Sequence, residues 1–140
     1  IHSAAGAWGA WGAARGGPPS MFIELHAQRA VSFLEGAELP GYHIEYIDKP
    51  VRACGSGNVV PLKGDGWLEI RFSATNAHTE DGQPTVKDRE QSPNLKIIKE
   101  MKQTCDFEAE VEWVLGVASP NKYRVLELKN PTRLVVDIKQ

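Results

Sequence analysis

The sequence predicts an all-β domain, an antiparallel β-sandwich or partly closed barrel of about eight short strands. Three observations carry this expectation. Near the end of the chain, Tyr123-Arg124-Val125-Leu126-Glu127-Leu128 and Arg133-Leu134-Val135-Val136-Asp137-Ile138 flank the turn signal Asn130-Pro131, the pattern of a closing hairpin. Residues 67–73 alternate strictly, sending Leu68, Ile70 and Phe72 to the core and Glu69 and Arg71 to water. No long segment carries apolar residues at the three-and-four spacing of an amphipathic helix.

Residues 1–20 stand apart. They are dominated by Ala and Gly, repeat Gly-Ala-Trp around Trp8 and Trp11, and end in Gly16-Gly17-Pro18-Pro19, so a linker or appended leader is expected there. A stacking role for Trp8 and Trp11 is the functional alternative. The β domain is expected over residues 21–140. Its first strands fall at 22–25 and 29–34, the second closed by Gly36. Pro40-Gly41 turns the chain into residues 42–47, where Tyr42, Ile44 and Tyr46 share one face and His43 and Glu45 the other. Residues 54–58 read as a tight turn, and 59–62 as a short strand that Pro61 confines to an edge or end.

Gly64-Asp65-Gly66 opens the strand at 67–73, after which residues 74–94 form a long polar segment expected to be a loop. Residues 95–101 are expected as a strand, with a helical turn as the alternative. In residues 107–115 the alternation places Phe107, Val111 and Trp113 on one face and Glu108, Glu110 and Glu112 on the other. Three like charges about 7 Å apart repel, so they should face water or cross-strand bases such as Arg124 or Arg133.

A chain of 140 residues fits one domain and can bury roughly two thirds of its unfolded surface. The net charge of -2, with acids and bases interspersed, supplies no basic face for nucleic acid. No run approaches the roughly 18 apolar residues of a transmembrane segment, and the basic-then-apolar pattern of an export signal is missing from this chain. Cys54 and Cys105 are too distant in sequence for a chelating pair, and no second pair completes a zinc site. A disulfide and two unrelated buried thiols both remain open. A bridge would contribute roughly 4 kcal/mol and imply an oxidising compartment.

Catalytic chemistry finds little support. His78 with Glu80 and Asp81 offers an imidazole and two carboxylates, but on a polar loop these serve solvation and turns more often than metal or proton transfer. Ser56 lies in Gly55-Ser56-Gly57, short of the nucleophile elbow, and no helix follows Gly64-Asp65-Gly66 to receive a phosphate. His26 and His43 are lone strand histidines. No catalytic residue, metal ligand or cofactor is therefore assigned. Binding asks for flat aromatics edged by polar groups, which Tyr42, Tyr46, Trp67, Trp113 and Tyr123 could supply. Core packing is the stronger expectation for Trp113 and Tyr42, and Trp67 is the best exposed aromatic. Arg29, Arg124 and Arg133 could meet ligand carboxylates or the glutamate stripe. The expected ligand-binding set is Trp67, Tyr42, Tyr46, Arg124 and His78.

Several segments, in order, carry a wider likeness. They are the strand at 29–34, Leu39-Pro40-Gly41-Tyr42, the Gly55-Ser56-Gly57 turn, Ala77-His78, Asp106-Phe107-Glu108, and residues 130–137. Together they resemble the AMIN-like domains, relatives of the amidase N-terminal module of bacterial cell-envelope proteins. The resemblance implies a β-sandwich, an extracytoplasmic location in periplasm or envelope, often as a lipoprotein, and no established catalytic residues. It implies a noncatalytic module that binds or localises to a cell-wall polymer such as peptidoglycan, or to an envelope protein. The alternative is a β-barrel that holds a small apolar ligand; a small hydrolase around His78 is a third.

Overall fold

The computed structural model describes residues 21–26, 29–34, 39–73, 90–91, 95–130 and 132–140, with backbone alone at 21–26, 33–34 and 90–91. Among these residues there are nine strands: β1 (Met21–His26), β2 (Arg29–Leu34), β3 (Tyr42–Ile47), β4 (Gly66–Ser73), β5 (Glu90–Gln91), β6 (Ile98–Phe107), β7 (Glu110–Val117), β8 (Tyr123–Leu128) and β9 (Arg133–Ile138). They form two antiparallel sheets, one in the order β1-β2-β9-β8 and the other β3-β4-β7-β6-β5. The architecture is therefore a sandwich. The sheets do not close into the barrel that the apolar-ligand alternative required.

The core follows from period-two patterning. Leu68, Ile70 and Phe72 of β4 are buried, as are Val111, Trp113, Leu115 and Val117 of β7, and they pack with Ala30 of β2 and Leu134, Val136 and Ile138 of β9. Trp113 is 0% exposed and fills the centre of the sandwich. Fully burying a side chain such as Phe72 or Leu68 stabilises the fold by roughly 1.5 to 3 kcal/mol.

β7 is buried on both faces, because a long connection crosses its outer side. The segment between β3 and β4 runs out to β6, where the Cys54 amide donates to the Thr104 carbonyl at 3.0 Å and Cys54 is bridged to Cys105 with Cα atoms 5.2 Å apart. On its return the Lys63 amide donates to Glu100 at 2.8 Å and the Asp65 amide to the Val117 carbonyl at 2.8 Å. At Gly116 a Cβ would lie 2.0 Å from the Lys63 carbonyl oxygen, so only glycine lets this strap sit so close. Val51 of the strap and Val114 of β7, on the face opposite Trp113, are both buried outside the main core cluster.

Several expectations are corrected. Residues 59–62 form no strand: the isolated bridge Arg52↔Val59 is all that remains, Val59 is 56% exposed, and Pro61 has no amide to extend a ladder. Residues 95–101 and 107–115 are not the two strands, since β6 runs from Ile98 through Phe107 and β7 begins at Glu110. The turn between them, Glu108 and Ala109 at φ 51° and 62°, is left-handed at both positions, a tight hairpin geometry here built without its usual Asn-Gly signal. Phe107 accordingly pairs with Glu110 and stands 61% exposed, off the face of Val111 and Trp113.

Glu112 is nearly buried and bonds to Arg71 of β4, not to Arg124 or Arg133, because the neighbours of β7 are β4 and β6. Within the expected loop at 74–94, Glu90 and Gln91 pair with Lys102 and Met101 as β5; the rest of that segment and the leader at 1–20 lie outside the described residues. Register shifts at Ile98/Glu100 and Gln103/Cys105 interrupt the period along β6, which buries the consecutive residues Thr104 and Cys105.

Candidate binding cleft

β3 is an edge strand of one sheet and β8 an edge strand of the other, and tyrosine hydroxyls join them. Tyr123 donates to the Ile44 carbonyl at 3.1 Å, Tyr46 to the Asn121 carbonyl at 2.5 Å, and Tyr42 to the Glu127 carboxylate. The Tyr46 and Tyr123 rings meet edge to face with centroids 5.7 Å apart. The bond to Glu127 pushes the Tyr42 hydroxyl up to about 12, helped by burial and by the negative charge beside it. Burial, then the neighbouring Tyr123, raises Tyr46. These hydroxyls are committed to the seam, so toward a ligand Tyr42 and Tyr46 offer ring surface alone.

Trp67 points away from the core face of β4 and is half-buried. Its indole N–H donates to the Leu62 carbonyl at 3.3 Å, and the Lys49 ammonium lies 4.6 Å from its ring centroid. One ring face is thus covered by a cation. On the same side of the sheet Arg71 reaches Glu112 at 2.5 Å and Glu69 at 3.2 Å, while His43 lies 3.4 Å from Glu45. Burial, then repulsion from Glu112, raises the Glu69 carboxyl, and Arg71 opposes that shift. This row is a cross-strand ion ladder with its charges already partnered.

Arg124 lies in a different setting. At the end of the β8–β9 ladder a cleft of about 460 Å3 is lined by Lys122, Tyr123, Arg124, Asp137, Ile138 and Lys139. The Lys139 amide donates to the Lys122 carbonyl at 2.8 Å, carrying the pairing one step beyond Tyr123↔Ile138. Asn121 ties this end down, its amide donating to the Lys139 carbonyl at 2.8 Å while the Ser119 hydroxyl donates to its side-chain oxygen at 2.7 Å. Asp137 accepts from Arg29 at 2.5 and 2.8 Å and from Arg124 at 3.0 Å. The Arg29 guanidinium, against the cost of burial and with help from Arg124, holds the Asp137 carboxyl below the usual carboxylate range. A second groove of about 320 Å3 runs beside the disulfide and Phe107.

The structure thus sets Arg124 at the cleft, holds Tyr42 and Tyr46 with Tyr123 in the adjoining seam, and leaves Trp67 on the other sheet. His78 lies outside the described residues. Lys122, Asp137 and Lys139 escaped the sequence reading. The signal was there in the hairpin register, which sets Arg124 opposite Asp137 and Lys122 opposite Lys139 once the turn at Asn130 is counted. Among the described residues no group of three or more His, Cys, Asp or Glu is arranged to hold a metal, and no helix is long and apolar enough to cross a membrane. The family model of the AMIN-like domain matches residues 26–140. Among curated proteins and among solved structures nothing matches.

Proposed function

Because the chain belongs to the AMIN-like domain family, whose domains are envelope-associated and noncatalytic, we propose that it binds a cell-wall polymer, peptidoglycan first, and so localises whatever it is joined to. The observation that carries this is the cleft at the end of the β8–β9 ladder, where Arg124 supplies a charged, 71% exposed edge, beside the seam that holds the Tyr123 ring. That pairing of flat surface and fixed charge suits a sugar ring bearing polar substituents. Tyr42 and Tyr46 continue the aromatic surface along the seam, Trp67 acts as an outlying contact on the other sheet, and His78 belongs to the proposed binding set. The strap bridge, which persists in oxidising compartments, supports an extracytoplasmic location. Association with an envelope protein instead of the polymer is the second reading, and the exposed Phe107 at a hairpin tip favours it.

The test is co-sedimentation of the whole chain with isolated peptidoglycan, comparing Arg124→Ala, Trp67→Ala and His78→Ala. Saturable binding reduced most by Arg124→Ala supports the cleft. No binding of the unaltered chain at any salt concentration removes the polymer and leaves the envelope protein.

A further inference from the structure

The cleft end of the four-stranded sheet carries positive charge that the described side chains do not neutralise. Among the described residues, Arg29, Arg124, Lys122 and Lys139 gather there around one side-chain carboxylate, Asp137, which leaves three positive side-chain charges in excess within a chain of net charge -2. Asp137 is already satisfied by both arginines. Arg124 spends its Nε on that carboxylate, and its terminal nitrogens make no further hydrogen bond among the described residues. Lys122 and Lys139 are exposed, sit opposite one another across the ladder, and their ammonium groups have no anionic partner among the described residues. Like charges placed directly opposite repel, a cost that an incoming anion would remove.

We infer that this cleft is an anion-binding subsite in which Lys122, Lys139 and the free end of Arg124 hold an anionic group, phosphate or carboxylate, carried by an envelope polymer. The subsite rests on the polymer reading above and gives its ligand a chemistry. The guanidinium matches two oxygens on one centre, and the two lysines supply point charges on either side. Asp137 has a positioning role: bound to Arg29 and to the Arg124 Nε, it holds the guanidinium with its terminal N–H groups toward the cleft. The two lysine positions are fixed by the Lys139-to-Lys122 backbone bond and by Asn121, so little side-chain-bearing backbone has to be ordered on binding.

The experiment is an amide NMR titration of the whole chain with inorganic phosphate and, separately, acetate, against sodium chloride of equal ionic strength. Saturable shifts at residues 122, 124 and 139, weakened about fivefold by each of Lys122→Gln and Lys139→Gln, are expected. Shifts no larger than those from sodium chloride overturn the inference. Co-sedimentation with intact wall and with wall stripped of phosphate-bearing polymers then separates the sources: binding lost on stripping assigns phosphate, and binding retained assigns carboxylate. Wall binding unaffected by Lys122→Gln with Lys139→Gln, and no phosphate shifts, would sink the anion subsite while leaving the polymer reading. Phosphate shifts without wall binding would do the reverse.

Discussion

Replacing Cys54 and Cys105 together by alanine should lower the unfolding free energy by about 4 kcal/mol, and the native fold should survive. The bridged residues are 51 apart in sequence, and closing a loop of that length removes about 14 cal/mol/K from the unfolded chain in the chain-entropy model, or about 4 kcal/mol at 25 °C. On the native side the loss is smaller. Cys105 is buried but stands outside the main core cluster, and the strap keeps its backbone bonds at Thr104 and Val117 and its close approach at Gly116. Each such hydrogen bond contributes about 1 kcal/mol. The bridge therefore acts mainly on the unfolded ensemble, and the variant should show a larger urea m-value as that ensemble expands. Urea unfolding of the variant, and of the unaltered chain with and without reductant, measures this directly. A loss below about 1 kcal/mol with unchanged m-value would refute the entropic account.

Four further outcomes follow from the geometry. Gly116→Ala puts a Cβ 2.0 Å from the Lys63 carbonyl oxygen, backbone that cannot swing aside, so thermal unfolding should report a loss of about 2 to 3 kcal/mol. Asp137 has a depressed carboxyl, so its ion pairs stabilise the fold above the ordinary value of 3.8 and fade as pH falls through the lower folded value; Asp137→Asn should flatten that acid limb of a stability-versus-pH curve. Glu69 runs the other way. Its raised folded value disfavours the ionised fold at neutral pH, and Glu69→Gln should not destabilise there. Tyr42 is raised to about 12, which favours the fold below 10 and is lost as pH climbs between those values; ultraviolet titration should lose its highest tyrosine step in Tyr42→Phe.

The parts of the fold legible in the sequence are those whose pairing is local or whose faces differ sharply. β2 and β3 match their expected bounds, and β8 and β9 flank their turn, because branched residues alternate with charges and Asn130 adopts the left-handed conformation that asparagine tolerates. The β6–β7 hairpin was obscured by a Glu-Ala turn without glycine and by two register shifts that break the period. The tyrosine seam was half visible. Alternation put Tyr42 and Tyr46 on one face, but which edges of two sheets meet depends on topology, not on local pattern. The same holds for the cleft: Arg124 was singled out, yet Lys139 joins it through pairing across a hairpin. For Cys54 and Cys105, sequence left a bridge and free thiols equally open, since the deciding quantity is a Cα separation.

A β8–β9 cleft that holds the wall polymer should be labelled by it. The most direct test places a photo-crosslinking residue at Lys139, and in a separate variant at Val59, which is 56% exposed on the other sheet's strap. After irradiation with isolated peptidoglycan, the account predicts wall fragments covalently attached at 139 and not at 59. Attachment at 59 alone, or at neither position despite co-sedimentation, would contradict it.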